Sequence, residues 1–237
     1  DPKDGLIEWT PRKGEELLNI EDLEAIVEEQ GDEIALLLIG GVNYYTGQSL
    51  DIKQIAKIGH SKKCLVGIDL AHGVGNIKPE LHDSGVDFAA WCSYKYMNSG
   101  PGSISGIFVH EKHATNPEIN RFAGWWGHDK ERRFLMEPEF KPMPTAESWQ
   151  LSNAPVLAMA VHKASLDIFM EAGIENLRAK SISLTNYLEF VVNEVSRTAE
   201  NANFEIITPK ATEQRGAQLS ILAHGQGKAL FDHLTEE

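Results

Sequence analysis

The chain has 237 residues, 42% hydrophobic and 24% charged, an ordinary globular composition with length for one large core or one core plus part of a second. With 35 acidic against 22 basic residues its formal net charge is −13, so it lacks the basic patch that releases counterions from a phosphate backbone, and nucleic-acid binding is set aside. No apolar stretch approaches membrane-spanning length, and no segment with a basic start and an apolar centre opens the chain, so no membrane role is expected.

The chain begins DPKDG without a methionine and ends GKALFDHLTEE in the pattern of a first helix after a strand, so both ends read as cut and a fragment is expected. Asn19 is placed to cap a helix over NIEDLEAIVEEQGD, in which Ile20, Leu23, Ile26 and Val27 recur at helical spacing and Gly31 ends the run. EIALLLIGG is a short continuous apolar run closed by glycines, the pattern of a parallel strand buried on both faces. In SLDIKQIAKIGH, Asp51 and Gln54 are spaced as a capping box, with Ile52, Ile55 and Ala56 on one face. CLVGIDLAH and VDFAAWCS read as two further buried strands, and SISGIFVHE as another. The alternation predicts an α/β fold with a mainly parallel sheet.

After Phe108 the segment FAGWWGHDKERRFLMEPEFKPMPTAESWQ has no sustained period and reads as a long ordered loop region, of a kind often tied to function. Pro155 suits the first turn of a helix that ends at Gly173. A second long helix then places Leu177, Leu184, Leu188, Val191 and Val195 on one face. FEIITP and QLSILAH read as two strands opening a smaller α+β unit. The two cysteines, Cys64 and Cys92, lie in apolar strand-like runs without a spacing pattern, so free buried thiols in a reducing compartment, hence the cytoplasm, are expected.

Ligands of open parallel sheets gather at the carboxyl ends of strands, and three groups fall there: Gly40 to Tyr45, Asp69 to His72, and Ser93 to Lys95. Lys95, between Tyr94 and Tyr96, either snorkels to water or is used for its amine. Asp69 could serve as a helix cap, or pair with Lys95 as a plain ion pair. The same acid and lysine on adjacent strand ends fit two tasks of pyridoxal phosphate chemistry: the lysine holds the aldehyde and the acid keeps the pyridine nitrogen protonated. His72 reads by default as a satisfied histidine, and its place near Asp69 makes it a candidate beside the ring. HEKH, residues 110 to 113, has two histidines three apart; it departs from H-E-x-x-H and follows a strand, so a solvated turn is preferred to a metal site.

GVNYYTGQSLDI, VGIDLAHGVGNIKPELHDSGVDFAAWCSYKYMNSGPG, FVHEKH, AGWWGHD, LSNAPVL and ITPKATEQRGAQL together closely resemble the kynureninases, pyridoxal 5'-phosphate enzymes of the fold-type I class. The resemblance implies residues 1–153 as part of the large cofactor-binding domain and 154–237 as long helices and the start of a small C-terminal domain. It implies Lys95 as the Schiff-base lysine, Asp69 as the pyridinium partner, His72 as a cofactor-site residue, and Tyr94 as a phosphate ligand that also moves a proton. Trp125 and Asn153 match phosphate ligands given across a homodimer interface. Gly40 stands where some relatives carry a serine contact to the cofactor, and Asn43 where a histidine can occur. The family's ring-stacking aromatic would precede Asp1, and its substrate-carboxylate arginine would follow Glu237. The activity implied is hydrolysis of L-kynurenine or 3-hydroxykynurenine to anthranilate or 3-hydroxyanthranilate plus L-alanine, in tryptophan catabolism and NAD biosynthesis. Rival readings are another fold-type I enzyme, such as a cysteine desulfurase or an aminotransferase, and a non-catalytic fragment or interaction module.

Overall fold

A computed structural model describes residues 5–199 and 203–236; residues 1–4 of the DPKDG opening lie outside the described residues. Four strands, β1 (Leu36–Gly40), β2 (Leu65–Asp69), β3 (Phe88–Cys92) and β4 (Ser105–Val109), form one sheet in the order β1-β2-β3-β4. The first three run parallel, with Gly40 opposite Asp69 and Asp69 opposite Ala90, and β4 returns antiparallel to β3. α1 (Ile20–Gln30) leads into β1, while α2 (Ile52–Ser61) and the short α3 (Leu81–Ser84) make the crossovers that parallel pairing requires. The predicted α/β architecture with a mainly parallel sheet is the one observed.

The core lies on one face of this sheet. Leu23 and Val27 of α1, Ile52, Ile55 and Ala56 of α2, and Leu37, Val66, Ile68 and Ala89 of the strands form one buried cluster. Burying a side chain such as Ile55 or Val66 contributes about 1.5–3 kcal/mol. Truncating Ile55 to alanine would cost about 2–5 kcal/mol, because the cavity adds to the lost transfer energy. Asp51 holds the start of α2 by accepting from the Gln54 N–H at 2.9 Å, but the Gln54 side chain reaches Glu24 instead of turning back, so only half of the predicted capping box forms. Asn19 caps α1 by position alone; its amide donates to Glu15 at 2.7 Å.

Three expectations about burial are corrected. β1 is not buried on both faces: Leu38 is 62% exposed and Leu36 42%. Register puts Leu36, Leu38, Leu65 and Ile107 on the face opposite the core, and among the described residues no helix covers them. Cys64 is buried as expected, whereas Cys92, on that same open face, is only half-buried.

The third correction concerns α6. α5 (Val156–Ala172) ends at Gly173 as predicted and α6 (Ile174–Thr198) follows, but Leu184 is 58% exposed, and Leu188 and Val195 are exposed as well. The side turned inward is mixed: Thr185 is buried beside the half-buried Leu177 and Ile182, and Asn186 and Glu189 accept from Arg215 at 2.7 and 2.8 Å. The buried guanidinium of Arg215 holds this side of the helix, so Leu184, Leu188 and Val195 of the predicted stripe face outward while Leu177 and Val191 stay half-buried. β5 (Phe204–Ile206) and β6 (Ile221–Ala223) pair antiparallel, and α7 (Gly227–Glu236) follows them.

Between β4 and α5 the chain has little regular structure, as predicted, beyond the short α4 (Glu111–Ala114) and one turn of 3-10 helix at Ala146–Trp149. The HEKH histidines have separate tasks. His110 caps α4, its Nδ1 accepting from the Lys112 N–H at 3.2 Å, while its ring stacks on His82. His113 Nε2 bonds to the buried carboxylate of Asp87 at 2.6 Å.

Candidate active site

The carboxyl ends of β1, β2 and β3 open into one cleft of about 400 Å³, lined among others by Gly40, Asn43, Tyr44, Asp69, His72 and Lys95. Each strand end turns for a local reason. After β1, Asn43 Oδ1 accepts from the Tyr45 and Thr46 N–H groups at 2.9 and 3.0 Å, an Asx turn that leaves Tyr44 projecting. That turn occupies the Asn43 oxygen. After β2, Asp69 Oδ1 accepts from the Ala71 N–H at 2.7 Å, and the Gly73 and Val74 N–H groups both return to the Leu70 carbonyl.

After β3 the lysine-bearing loop is pinned at several points. Ser93, fully buried, donates to the Ile104 carbonyl, and the Ser99 N–H returns to the Ser93 carbonyl at 3.1 Å. α5 holds the loop from outside: His162 Nδ1 lies 2.8 Å from Ser99 Oγ, and Ser165 donates to the Met97 carbonyl. The half-buried Lys95 is thus carried on backbone with little freedom. The sequence reading did not single out Ser99, His162 or Ser165; small hydroxyls and one histidine give no periodic signal.

Lys95 Nζ lies 2.9 Å from His72 Nε2. An ammonium group only donates, so Nε2 accepts and the ring proton sits on Nδ1. Nδ1 is buried and has no partner, the kind of polar group that an added ligand atom could satisfy. Burial, and secondly the charge of Lys95, hold the His72 pKa below the usual imidazole value, against an opposing pull from Asp69. The ring is flanked by Tyr44 and Tyr96 at centroid distances of 6.3 and 6.1 Å. The Tyr94 side chain is exposed; a hydrogen bond with Cys92 raises its phenol above the ordinary tyrosine value, so it keeps its proton.

Of the seven sequence-predicted positions, Gly40, Asp69, His72 and Lys95 meet in the cleft, and Tyr94 adjoins it in the Lys95 loop. Trp125 lines a different cleft together with His128 and Arg133, and its indole N–H donates to the Arg133 carbonyl at 3.0 Å. Asn153 is exposed in the turn before α5. The groups in the first cleft fit pyridoxal phosphate: a lysine amine, a strand-end carboxylate one strand away, an unpartnered histidine N–H, and a volume within the range of small-molecule sites.

Residues 4–230 match the family model described as Aminotransferase class-V. The kynureninase of Flavobacterium johnsoniae is 56% identical over 98% of this chain and 55% of its own length. Those of Christiangramia forsetii and Nematostella vectensis are 53% and 47% identical over 100% and 93% of this chain, and 56% and 49% of their own lengths. The chain spans about half the length of the curated relatives it matches. Among solved structures, a cysteine desulfurase from Thermococcus onnurineus superposes with a TM-score of 0.70 over 97% of this chain and 53% of that one, at 14% identity. An alanine–glyoxylate aminotransferase from Nostoc sp. gives 0.63 over 92% and 54%, at 18% identity. At such identities the likeness establishes a shared fold, that of fold-type I pyridoxal phosphate enzymes, and leaves the reaction open. From the match across nearly its whole length, the chain belongs to the aminotransferase class-V family.

Proposed function

We propose that this chain forms the cofactor-bearing part of a kynureninase, hydrolysing the Cβ–Cγ bond of L-kynurenine or 3-hydroxy-L-kynurenine to anthranilate or 3-hydroxyanthranilate and L-alanine. The observation that carries this reading is the contact of Lys95 with His72 at 2.9 Å beside the strand-end carboxylate of Asp69. It is joined by the 53–56% identity to bacterial kynureninases. Pyridoxal 5'-phosphate supplies, when bound, the electron sink for Cα deprotonation and for the carbon–carbon cleavage.

Lys95 would hold the cofactor through its amine, and that amine, when free, would take the Cα proton. Asp69 would keep the pyridine nitrogen protonated. His72, neutral and donating from Nδ1, orients the bound group. Tyr94, its proton retained, would deliver that proton in the later steps and would help to hold the phosphate. Gly40 adds backbone without a side chain at the cleft wall. Trp125 and Asn153, which lie away from this cleft, would hold the phosphate of a second copy in a homodimer.

We assign residues 1–153 to the large cofactor-binding domain and 154–237 to the long helices and the start of a smaller C-terminal domain. The setting is tryptophan catabolism and NAD biosynthesis in the cytoplasm; among the described residues no helix is long and apolar enough to cross a membrane. Incubating the full-length protein with cofactor and each substrate should yield equimolar L-alanine and the matching anthranilate. Sulfur release from L-cysteine, or amino-group transfer without carbon–carbon cleavage, would give the reading to a desulfurase or an aminotransferase instead.

A further inference from the structure

The connection between β5 and β6 reaches back to both loops that frame the cleft. Gln218 Nε2 donates to the Tyr44 and Tyr45 carbonyls at 2.8 and 3.2 Å. One residue earlier, the Ala217 N–H donates to Asn76 Oδ1 at 2.8 Å, and Asn76 Nδ2 donates onward to the His72 carbonyl at 2.9 Å. Asn76 is 4% exposed, so its amide bridges two backbone segments in a place where water cannot replace either bond.

The packing around this bridge leaves little slack. A Cβ on Gly216 would stand 2.3 Å from Asn76 Nδ2, so only glycine lets the connection approach the amide. Gly75 adopts φ +80°, and a Cβ there would meet the Tyr96 carbonyl at 2.9 Å. The His72 loop is therefore seated directly against the Lys95 loop.

The geometry points to Asn76 as the positioning residue that fixes His72 against Lys95 and ties that pair to the β5–β6 connection. This rests on the reading of Lys95 as the cofactor lysine. The His72 ring has one polar partner, Lys95, and its Nδ1 has none, so the ring cannot fix its own position by hydrogen bonding. Its place is set by its backbone, and Asn76 is the side chain that holds the His72 carbonyl. The far end of the link is anchored too, because Arg215 binds Asn186 and Glu189 of α6 two residues before Ala217. A shift of α6 and the hairpin is thereby felt at the reacting amine.

The test uses the full-length holoenzyme with Asn76→Ala, which removes both bonds, and Asn76→Asp, which keeps the acceptor for Ala217 but loses the donor to His72. The readouts are the pH at which the absorption of the Lys95-bound cofactor changes, and kcat against KM. Both variants should move that pH by about one unit. Both should lower kcat on the order of tenfold, because a misplaced reacting group costs rate, while KM stays within about twofold. Ser84→Ala, which removes a buried hydroxyl bond to the Leu81 carbonyl outside the cleft, should change neither.

A wild-type absorption profile and kcat in both folded variants overturns the inference, and so does a shift in Asn76→Asp alone, which would report only the new charge. A wild-type protein with no Lys95-bound chromophore overturns the site reading itself, and the two failures are thus distinct. Should neither variant fold, hydrogen exchange on the wild type decides. The Ala217 amide should be protected like the core strands, and exchange at the rate of an exposed loop overturns the link.

Discussion

The amine of Lys95 donates to His72 Nε2 at 2.9 Å, which leaves His72 Nδ1 as a buried donor with no acceptor. The pair is the chemical centre of the cleft, and the protonation of His72 follows from its surroundings.

Burial and then Lys95 depress the His72 pKa. Its unfolded value, about 6.5, lies above the folded one, so between them the unfolded chain binds more protons. The stability tied to neutral His72 is present above about pH 6.5 and is lost as pH falls through the folded value. His72→Gln should flatten this acid-side loss. Thermal melts of the cofactor-free full-length protein at pH 7 and pH 5 check this: an unchanged difference between the two pH values would contradict the assignment of a depressed pKa.

Tyr94 tests the division between binding and proton transfer. Tyr94→Phe should lower kcat by roughly 10²–10⁴-fold, the range of a lost general acid, while the cofactor stays bound. An absorption spectrum taken alongside the rate separates the two roles, since parallel loss of the chromophore would reduce Tyr94 to a phosphate contact.

Asp87 is a stability determinant at the far end of β3 from the cleft. Burial pushes its carboxyl up, but bonds from Lys112, His113, His60 and the Val66 N–H outweigh that and hold it far below the usual carboxylate range. Its contribution is present above about pH 3.9 and is lost only as pH falls through the depressed folded value in strong acid. Asp87→Asn at pH 7 should destabilise by about 1–3 kcal/mol, because it removes the buried anion on which His60, Lys112 and His113 converge and weakens the acceptor of the buried Val66 N–H. A denaturant midpoint equal to wild type would show the cluster to be marginal.

Arg215 fastens the β5–β6 connection to α6 and is 1% exposed. Arg215→Ala should cost about 3 kcal/mol and expose α6 to proteolysis, while Arg215→Lys should recover only part, since an ammonium cannot serve Asn186, Glu189 and the Pro209 carbonyl together as a planar fork can. Equal stability of all three proteins would contradict that role.

Much of the fold was legible because its signals are local. The apolar runs at 36–40, 65–69 and 88–92 and the helical spacing of α2 follow from period and flanking residues alone, and the strand-end rule then gathers Gly40, Asp69 and His72 with the nearby Lys95. What was not legible depends on partners distant in sequence. The apolar spacing of α6 is real, yet one side of the helix is held by Arg215, 26 residues from Glu189, a polar contact that hydrophobic period does not encode. Two-sided burial of β1 was inferred from its apolar run, but a run records the capacity for burial and does not say which faces are covered. Asn76 was missed because its partner Ala217 lies 141 residues on and donates from its backbone, which leaves no mark on residue type.

The most direct test of the central claim adds pyridoxal phosphate to the full-length protein, reduces with borohydride and maps the modified peptide. The account predicts a visible chromophore before reduction and label confined to Lys95, with Lys95→Ala losing both. Label spread over surface lysines, or a chromophore that survives Lys95→Ala, would contradict it.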